Sequence, residues 1–437
     1  MARVGVEIRS LNDGTSWYSK QSKDTFIPAS TAKLVTASLA LENLSPEYRF
    51  TTAILTDGSI ENGILQGNLI IRGGGDPSLS PADLQLMVHA LAIGDPAKNI
   101  QPISLINGQI IYDDSFFPLQ GPQLGLGWEA EDIPWYYAVP SEALSYNRNS
   151  VTVTVKGTTP GSPATISFSP ETNLFVVDNR TVTSDKVVTG SADVMPQGYH
   201  LVVTGSIAPG ASITEQVSVL DPIKFFDEQF RKALTTENIS VINNSTTTVK
   251  PVVERKVIVE HQSAPIRDIV RFMLKNSDNH TAEQVRWTLL SQRNLEINLD
   301  DRYQAILDEF TSHTQLDRAA IHAVDGSGLS RENTLSPLNA VRLLTYMASS
   351  PNFQVFYDAM PIAGVDGTLK NRMVGTKAAG NVHAKTGTMR GVCTLAGYVT
   401  TSSGERLSFA IFVNDYNSGA KSARDLQDQI AGYLAGL

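Results

Sequence analysis

At 437 residues the chain is long enough for two to three domains, and with 41% hydrophobic and 18% charged residues it has a globular composition rather than a disordered or collagen-like one. A net charge of −9, with no local run of Lys or Arg to offset it, argues against nucleic acid or an anionic membrane surface as the main partner. The single cysteine, Cys393, excludes an internal disulfide or a cysteine-based metal cluster, and no run of about 18 apolar residues could span a bilayer.

The opening VGVEIRSLNDGTSWYSK alternates apolar and polar residues around Asn12-Asp13-Gly14 and predicts a β-hairpin. Ile27-Pro28-Ala29-Ser30 then leads into TAKLVTASLALENL, whose apolar positions recur at helical spacing, with Pro28 suited to the helix start. Ser30 and Lys33 therefore fall one turn apart, near a helix N-terminus. Residues from about 50 to 250 carry short β-like runs such as GNLIIRGGGDPSL and SVTVTVKGTTPG, with turn signals at Asp57-Gly58, Asn107-Gly108 and Pro160-Gly161. Helices are predicted at ADLQLMVHALAIG and DPIKFFDEQFRKALTT, and the stretch 150–207 reads as all β. From about 264 the chain turns helical, through APIRDIVRFMLKNSDNHTAEQVRWTLLSQR, LDDRYQAILDEFTSH and SPLNAVRLLTYMAS. Strand-like VCTLAGYVTTSSGERLSFAIFVND and a final helix in AKSARDLQDQIAGYLAGL follow. The pattern predicts an α/β (α+β) fold whose two ends share one sheet covered by helices.

Three short strings carry chemistry: Ser30-Thr31-Ala32-Lys33, Ser277-Asp278-Asn279 and Lys385-Thr386-Gly387-Thr388. Each is weak alone. A Ser near a helix start is ordinarily a cap, and S-x-N is also matched by Ser10-Leu11-Asn12, Ser145-Tyr146-Asn147 and Ser350-Pro351-Asn352. Their order and settings, however, fit a Ser/Lys acyl-transfer site. A serine at a helix N-terminus gains from unpaired N–H groups and the positive dipole end. Lys33 can take its proton only when neutral, and Lys385 is a second cation that would depress the Lys33 pKa. Ser277 can relay a proton, and Asn279 can hydrogen-bond Lys33 and a substrate amide. The strand after Lys385, rich in small residues, offers an edge to an extended substrate backbone.

The three motifs in this order resemble those of the penicilloyl serine transferases, the penicillin-binding proteins and serine β-lactamases. The first gap is more than twice the second, unlike compact β-lactamases, so the chain resembles class C low-molecular-mass penicillin-binding proteins, the D-alanyl-D-alanine carboxypeptidase/endopeptidases. IPASTAKLVTASLALENL, RGGGDPSL, EDIPWYYAVPSEALSYNRNSV, MLKNSDNHTAEQV and DGSGLSRENTLSP resemble family segments in the expected order. The resemblance implies a β-lactamase/transpeptidase-like catalytic domain at 1–50 and 258–437, an inserted domain at 51–149 and 208–257, and a nested small β domain at 150–207. It implies Ser30 as acylated nucleophile, Lys33 as general base, and Ser277 and Asn279 as relay and substrate-binding pair. Lys385, Thr386 and Thr388, with Gly387 between them, would hold the terminal carboxylate of D-alanine or of a β-lactam. Backbone N–H groups of Ser30 and Thr388 would form the oxyanion hole. Arg331 is the candidate for the carboxylate of a diaminopimelate side chain and Glu131 for its ammonium, with Trp128 and Tyr136 lining that pocket. The mechanism implies no cofactor and no metal. The implied partners are peptidoglycan stem peptides ending in D-Ala-D-Ala, with β-lactams as inhibitors.

Two other readings compete. A β-lactamase of class A would need a water-activating Glu between the second and third motifs, where Glu309 sits in a helical pattern. A non-catalytic peptidoglycan-binding module would have lost a motif residue, and none is lost. The resemblance implies action outside the cytoplasmic membrane, periplasmic or secreted, whereas MARVGVEIRS lacks an apolar leader and already reads as a strand. Met1 is accordingly read as an artificial or re-assigned start.

Overall fold

The alternating segment at the start folds as β1 (Arg3–Ser10) and β2 (Ser16–Lys20), paired antiparallel across the Asn12-Asp13-Gly14 turn. Asp13 accepts the Thr15 N–H at 2.9 Å and Gly14 supplies a φ of 75°, which is why this tripeptide turns the chain. The computed structural model describes residues 2–187, 190–243, 246–248, 255–293, 299–417 and 419–437. It divides into two units, one formed by Met1–Arg49, Gly125–Trp128 and Ala264–Leu437, the other by Phe50–Leu124 and Glu129–Ser263.

In the first unit β3 (His383–Met389), β4 (Val392–Thr400) and β5 (Arg406–Asn414) complete an antiparallel sheet in the order β2-β1-β5-β4-β3. The two ends of the chain thus share one sheet. Its helices are α1 (Lys33–Leu44), α2 (Ile266–Asn276), α3 (Asn279–Ser291), α4 (Leu299–Ser312), α5 (Pro337–Ala348), α6 (Phe353–Ala359) and α7 (Lys421–Gly436). β4 and β5 are buried along almost their whole length because helices cover both sheet faces. On one face Val6, Ile8, Leu395, Phe409 and Ile411 pack with Ala431 and Leu434 of α7. On the other, Phe412 meets Phe26 edge-to-face at 6.3 Å, and the Tyr398 hydroxyl donates to the Leu344 carbonyl of α5 at 2.7 Å. The strand period of two explains how neighbours such as Ile411 and Phe412 serve opposite cores.

The run read as continuously helical from 264 is broken once. Ser277 adopts a left-handed conformation (φ 58°, ψ 36°) that ends α2. Asp278 starts α3 by accepting the Thr281 N–H at 2.8 Å. Helical periodicity on both sides hides this break in the sequence.

The second unit contains a five-stranded sheet of Thr246–Thr248, Ile110–Asp113, Leu69–Arg72, Thr51–Thr56 and Lys256–Gln262, in that order. Helix Pro81–Ile93 starts with a capping box in which Ser80 and Asp83 satisfy each other's backbone N–H. Helix Pro222–Thr236 buries Phe225, Phe226 and Phe230. The β-rich stretch forms two three-stranded sheets, and strand Ser212–Ser218 joins the first of them by pairing with Ser150–Lys156.

Candidate active site

Ser30 lies in a turn of 3-10 helix, Ala29–Ala32, that feeds directly into α1. The residue before it, Ala29, is buried and has a φ of 45°, a left-handed conformation that costs an alanine about 1–3 kcal/mol. Two threonine hydroxyls hold this turn by donating to the Pro28 carbonyl, Thr31 at 2.6 Å and Thr394 of β4 at 2.7 Å. β3 runs alongside. A Cβ on Gly387 would lie 2.2 Å from Thr394 Oγ1, 2.8 Å from the Pro28 oxygen and 2.9 Å from the Ser30 nitrogen, so only glycine lets the strand pass this close.

One turn after Ser30, Lys33 is fully buried, and its Nζ lies 3.1 Å from Ser30 Oγ. The same nitrogen donates to Asn279 Oδ1 at 2.6 Å and to the Ser327 carbonyl at 2.6 Å. Lys385, also fully buried, donates to Ser277 Oγ at 2.9 Å and to the Thr386 carbonyl at 2.7 Å. Thr386 and Thr368 share a hydroxyl–hydroxyl hydrogen bond of 2.7 Å, and Thr388 is exposed on β3. The structure therefore brings the three motifs together within hydrogen-bonding reach of one another.

Burial lowers the Lys33 pKa to about 8, against the opposing pull of Asp325, Asp278 and Glu283. Burial, and after it the charge of Lys33, push Lys385 well below the usual lysine range. The sequence assigns the depression of Lys33 to a second cation. In the structure the first cause is desolvation, for Lys33 as for Lys385.

The turn from Asp325 to Ser330, inside the string DGSGLSRENTLSP, completes the floor beneath Lys33. Asp325 accepts the Gly328 and Ser330 N–H groups, both at 2.7 Å, and the Asn333 amide at 2.8 Å. Gly328 has a φ of 80°, and a Cβ there would meet the Ala29 oxygen at 2.0 Å, so this turn locks against the turn that carries Ser30. Trp128 is anchored on the same turn, its Nε1 donating to Asp325 Oδ2 at 3.0 Å. Arg331, half-buried, donates to the Arg390 carbonyl at 2.8 Å. Glu131 and Tyr136 are exposed residues of the second unit. Glu309, on α4, is half-exposed and ion-paired with Arg293, a surface arrangement. The sequence reading missed the Ser327 carbonyl, Asp325 and Thr368. A backbone oxygen has no sequence signature, although the paired glycines around Ser327 were a signal of close approach.

A model of the D-Ala-D-Ala carboxypeptidase 3 (S13) family matches residues 1–437. A D-alanyl-D-alanine carboxypeptidase of Actinomadura sp. (strain R39) is 32% identical, the match covering 99% of this chain and 81% of that protein. The crystal structure of penicillin binding protein 4 from Haemophilus influenzae superposes with a TM-score of 0.84 at 25% identity, over 100% of this chain and 97% of that one. A second structure of that protein, complexed with a β-lactam, gives a TM-score of 0.78 at 24% identity, with the same coverage.

Proposed function

Because the chain belongs to the D-Ala-D-Ala carboxypeptidase 3 (S13) family, and is thus a serine D-Ala-D-Ala carboxypeptidase, we propose that Ser30, Lys33, Ser277, Asn279 and Lys385 carry out its acyl transfer. The observation that carries this assignment is the 3.1 Å approach of Lys33 Nζ to Ser30 Oγ, at an amine whose pKa burial lowers to about 8. Neutral Lys33 takes the Ser30 proton as Oγ attacks the carbonyl carbon of the penultimate D-Ala. Backbone N–H groups of Ser30 and Thr388 stabilise the resulting oxyanion; the tight passage of Gly387 along the Ser30 peptide supports this pairing. The C–N bond then breaks, and the proton passes through Ser277, hydrogen-bonded to Lys385, to the departing amine. Water attacks the ester carbonyl, Lys33 takes the water's proton and returns it to Ser30 Oγ as the ester C–O bond breaks, and the acid leaves with Ser30 and neutral Lys33 restored.

The terminal carboxylate is bound by Lys385, Thr386 and Thr388, and its negative charge favours the protonated form of a lysine that burial otherwise keeps neutral. β-Lactams present a carboxylate and a reactive carbonyl in the same relation and so acylate Ser30, in keeping with the β-lactam complex of the Haemophilus influenzae protein. Arg331 is the candidate for a diaminopimelate carboxylate and Trp128, anchored on the neighbouring Asp325 turn, for the wall beside it. On this reading the enzyme acts on cell-wall peptides outside the cytoplasmic membrane; among the described residues no helix is long and apolar enough to cross one. Intact mass after mixing with benzylpenicillin tests the assignment. One lasting equivalent on the peptide holding Ser30, absent in Ser30→Ala, is expected; an adduct elsewhere, or none from folded protein, overturns it.

A further inference from the structure

Neutral Lys33 has two N–H donors and one lone pair. Asn279 Oδ1 and the Ser327 carbonyl, each 2.6 Å from Nζ, can only accept, so together they take both hydrogens. The lone pair is left for the Ser30 hydroxyl at 3.1 Å. Asn279 is a motif residue on a helix, but the Ser327 carbonyl belongs to an irregular turn and must be held by something else. The peptide that carries it has its N–H on Asp325 Oδ1 at 2.7 Å. The two preceding N–H groups, of Gly326 and Ser327, both donate to Glu283 Oε1, at 2.9 and 2.8 Å. Glu283 is 1% exposed and lies one turn after Asn279 on α3, so a single helix supplies one acceptor for Lys33 directly and holds the other.

We propose that Glu283 is a positioning residue for acylation: it fixes the Gly326–Ser327 backbone so that the Ser327 carbonyl occupies one hydrogen of Lys33 and the amine's lone pair faces Ser30. The inference rests on the acyl-transfer assignment above. A buried carboxylate in this place has an electrostatic consequence as well. Lys33 is faced by Asp325 from the turn, Asp278 from the start of α3, Glu283 from α3 and Lys385 from β3. Glu283 itself is faced by Asp325 and by Arg286, whose guanidinium stacks over the Tyr303 ring at 4.7 Å. Burial first, and then the charge of Asp325, raise the Glu283 pKa to about 7, so the negative charge that raises the Lys33 pKa is present above that value, and its removal moves the onset of acylation to lower pH there.

The test measures the rate of benzylpenicillin acylation per titratable site across pH, in the intact chain. Glu283→Gln keeps an acceptor for both N–H groups but loses the charge. It is expected to label to one equivalent and, between about pH 7 and 8, where Glu283 is ionised and Lys33 still titrates, to acylate roughly 3–10-fold faster than wild type, the two rates converging at lower pH. Glu283→Ala releases the turn and is expected to label to one equivalent but about 10–100-fold more slowly. A purely structural role would lower the labelled fraction and leave the rate and pH limb of the surviving sites unchanged. Full labelling of Glu283→Ala at the wild-type rate overturns the proposal, and if that variant does not fold, an unshifted limb in Glu283→Gln overturns it. Absence of any wild-type adduct would instead remove the acyl-transfer assignment, so the two failures are distinguishable.

Discussion

Replacing Gly387 by alanine probes how closely the third motif must run to Ser30. The added methyl would lie 2.2 Å from Thr394 Oγ1, 2.8 Å from the Pro28 oxygen and 2.9 Å from the Ser30 nitrogen. The threonine can rotate away only by giving up its 2.7 Å hydrogen bond to Pro28, at a cost of about 1 kcal/mol. The other two neighbours are backbone and cannot step aside, so β3 must retreat by roughly half an ångström, with overpacking strain of about 1–3 kcal/mol. A total of about 2–4 kcal/mol lowers Tm by roughly 5–12 °C for a unit of this size. The larger effect falls on chemistry, because the retreat separates the Thr388 peptide from that of Ser30 and loosens the proposed oxyanion hole. Acylation by a fluorescent penicillin, followed by stopped flow, is expected to fall about 100-fold. Adding Thr394→Ala should regain part of the stability and little of the rate, since the backbone collision persists. A Gly387→Ala protein with wild-type Tm and acylation rate would refute the steric argument.

Two further outcomes follow from buried titrating groups. With the Lys33 pKa near 8, acylation should rise about tenfold per pH unit below that value and level above it; a limb near 10.5 would mean that burial does not lower the Lys33 pKa in the folded protein. In the second unit Glu142 is raised from 4.5 to about 9, first by burial and then by the charge of Asp114 and a hydrogen bond to it. It stays protonated when folded but ionises when unfolded, so the stability it contributes is full below about pH 4.5 and is lost as pH rises toward 9. Glu142→Gln cannot ionise, and in thermal melts it should gain on wild type at pH 8 relative to pH 5; identical pH slopes for the two proteins would dismiss the account.

The elements legible in the sequence were those whose signals are local. Asn12-Asp13-Gly14 dictates its hairpin through backbone conformation, and the amphipathic spacing of SPLNAVRLLTYMAS needs no partner to announce α5. The three motifs were legible because their side chains act together, and their order along the chain survives folding. What escaped was information held by backbone atoms and by burial. Ser277 breaks a helical run whose residues favour helix on both sides, because its own left-handed φ aims the hydroxyl at Lys385. The Ser327 carbonyl has no letter in the sequence at all. The depression of Lys33 was expected from a neighbouring charge, whereas its leading cause is the absence of water around a side chain with no exposed surface, which only the assembled fold can reveal.

The pairing of β1 with β5, which sets Arg3 opposite Asn414, bears on how the molecule is made. A ribosome delivers about 5–20 residues each second, so the first strand waits tens of seconds for the neighbour that completes its sheet. During that interval Ser30 has emerged but Lys385 has not, so on the proposed assignment a nascent chain lacks part of the machinery that acylates it. Reactivity therefore arrives only with the closing strands of the sheet. Chains that stall or are clipped before that point stay chemically silent, and in pulse-chase work penicillin capture would count finished molecules rather than synthesised ones. The same delay leaves the β1 edge of the β1–β2 hairpin unpaired until Arg406–Asn414 is made, an exposed edge of the kind that invites wrong pairing.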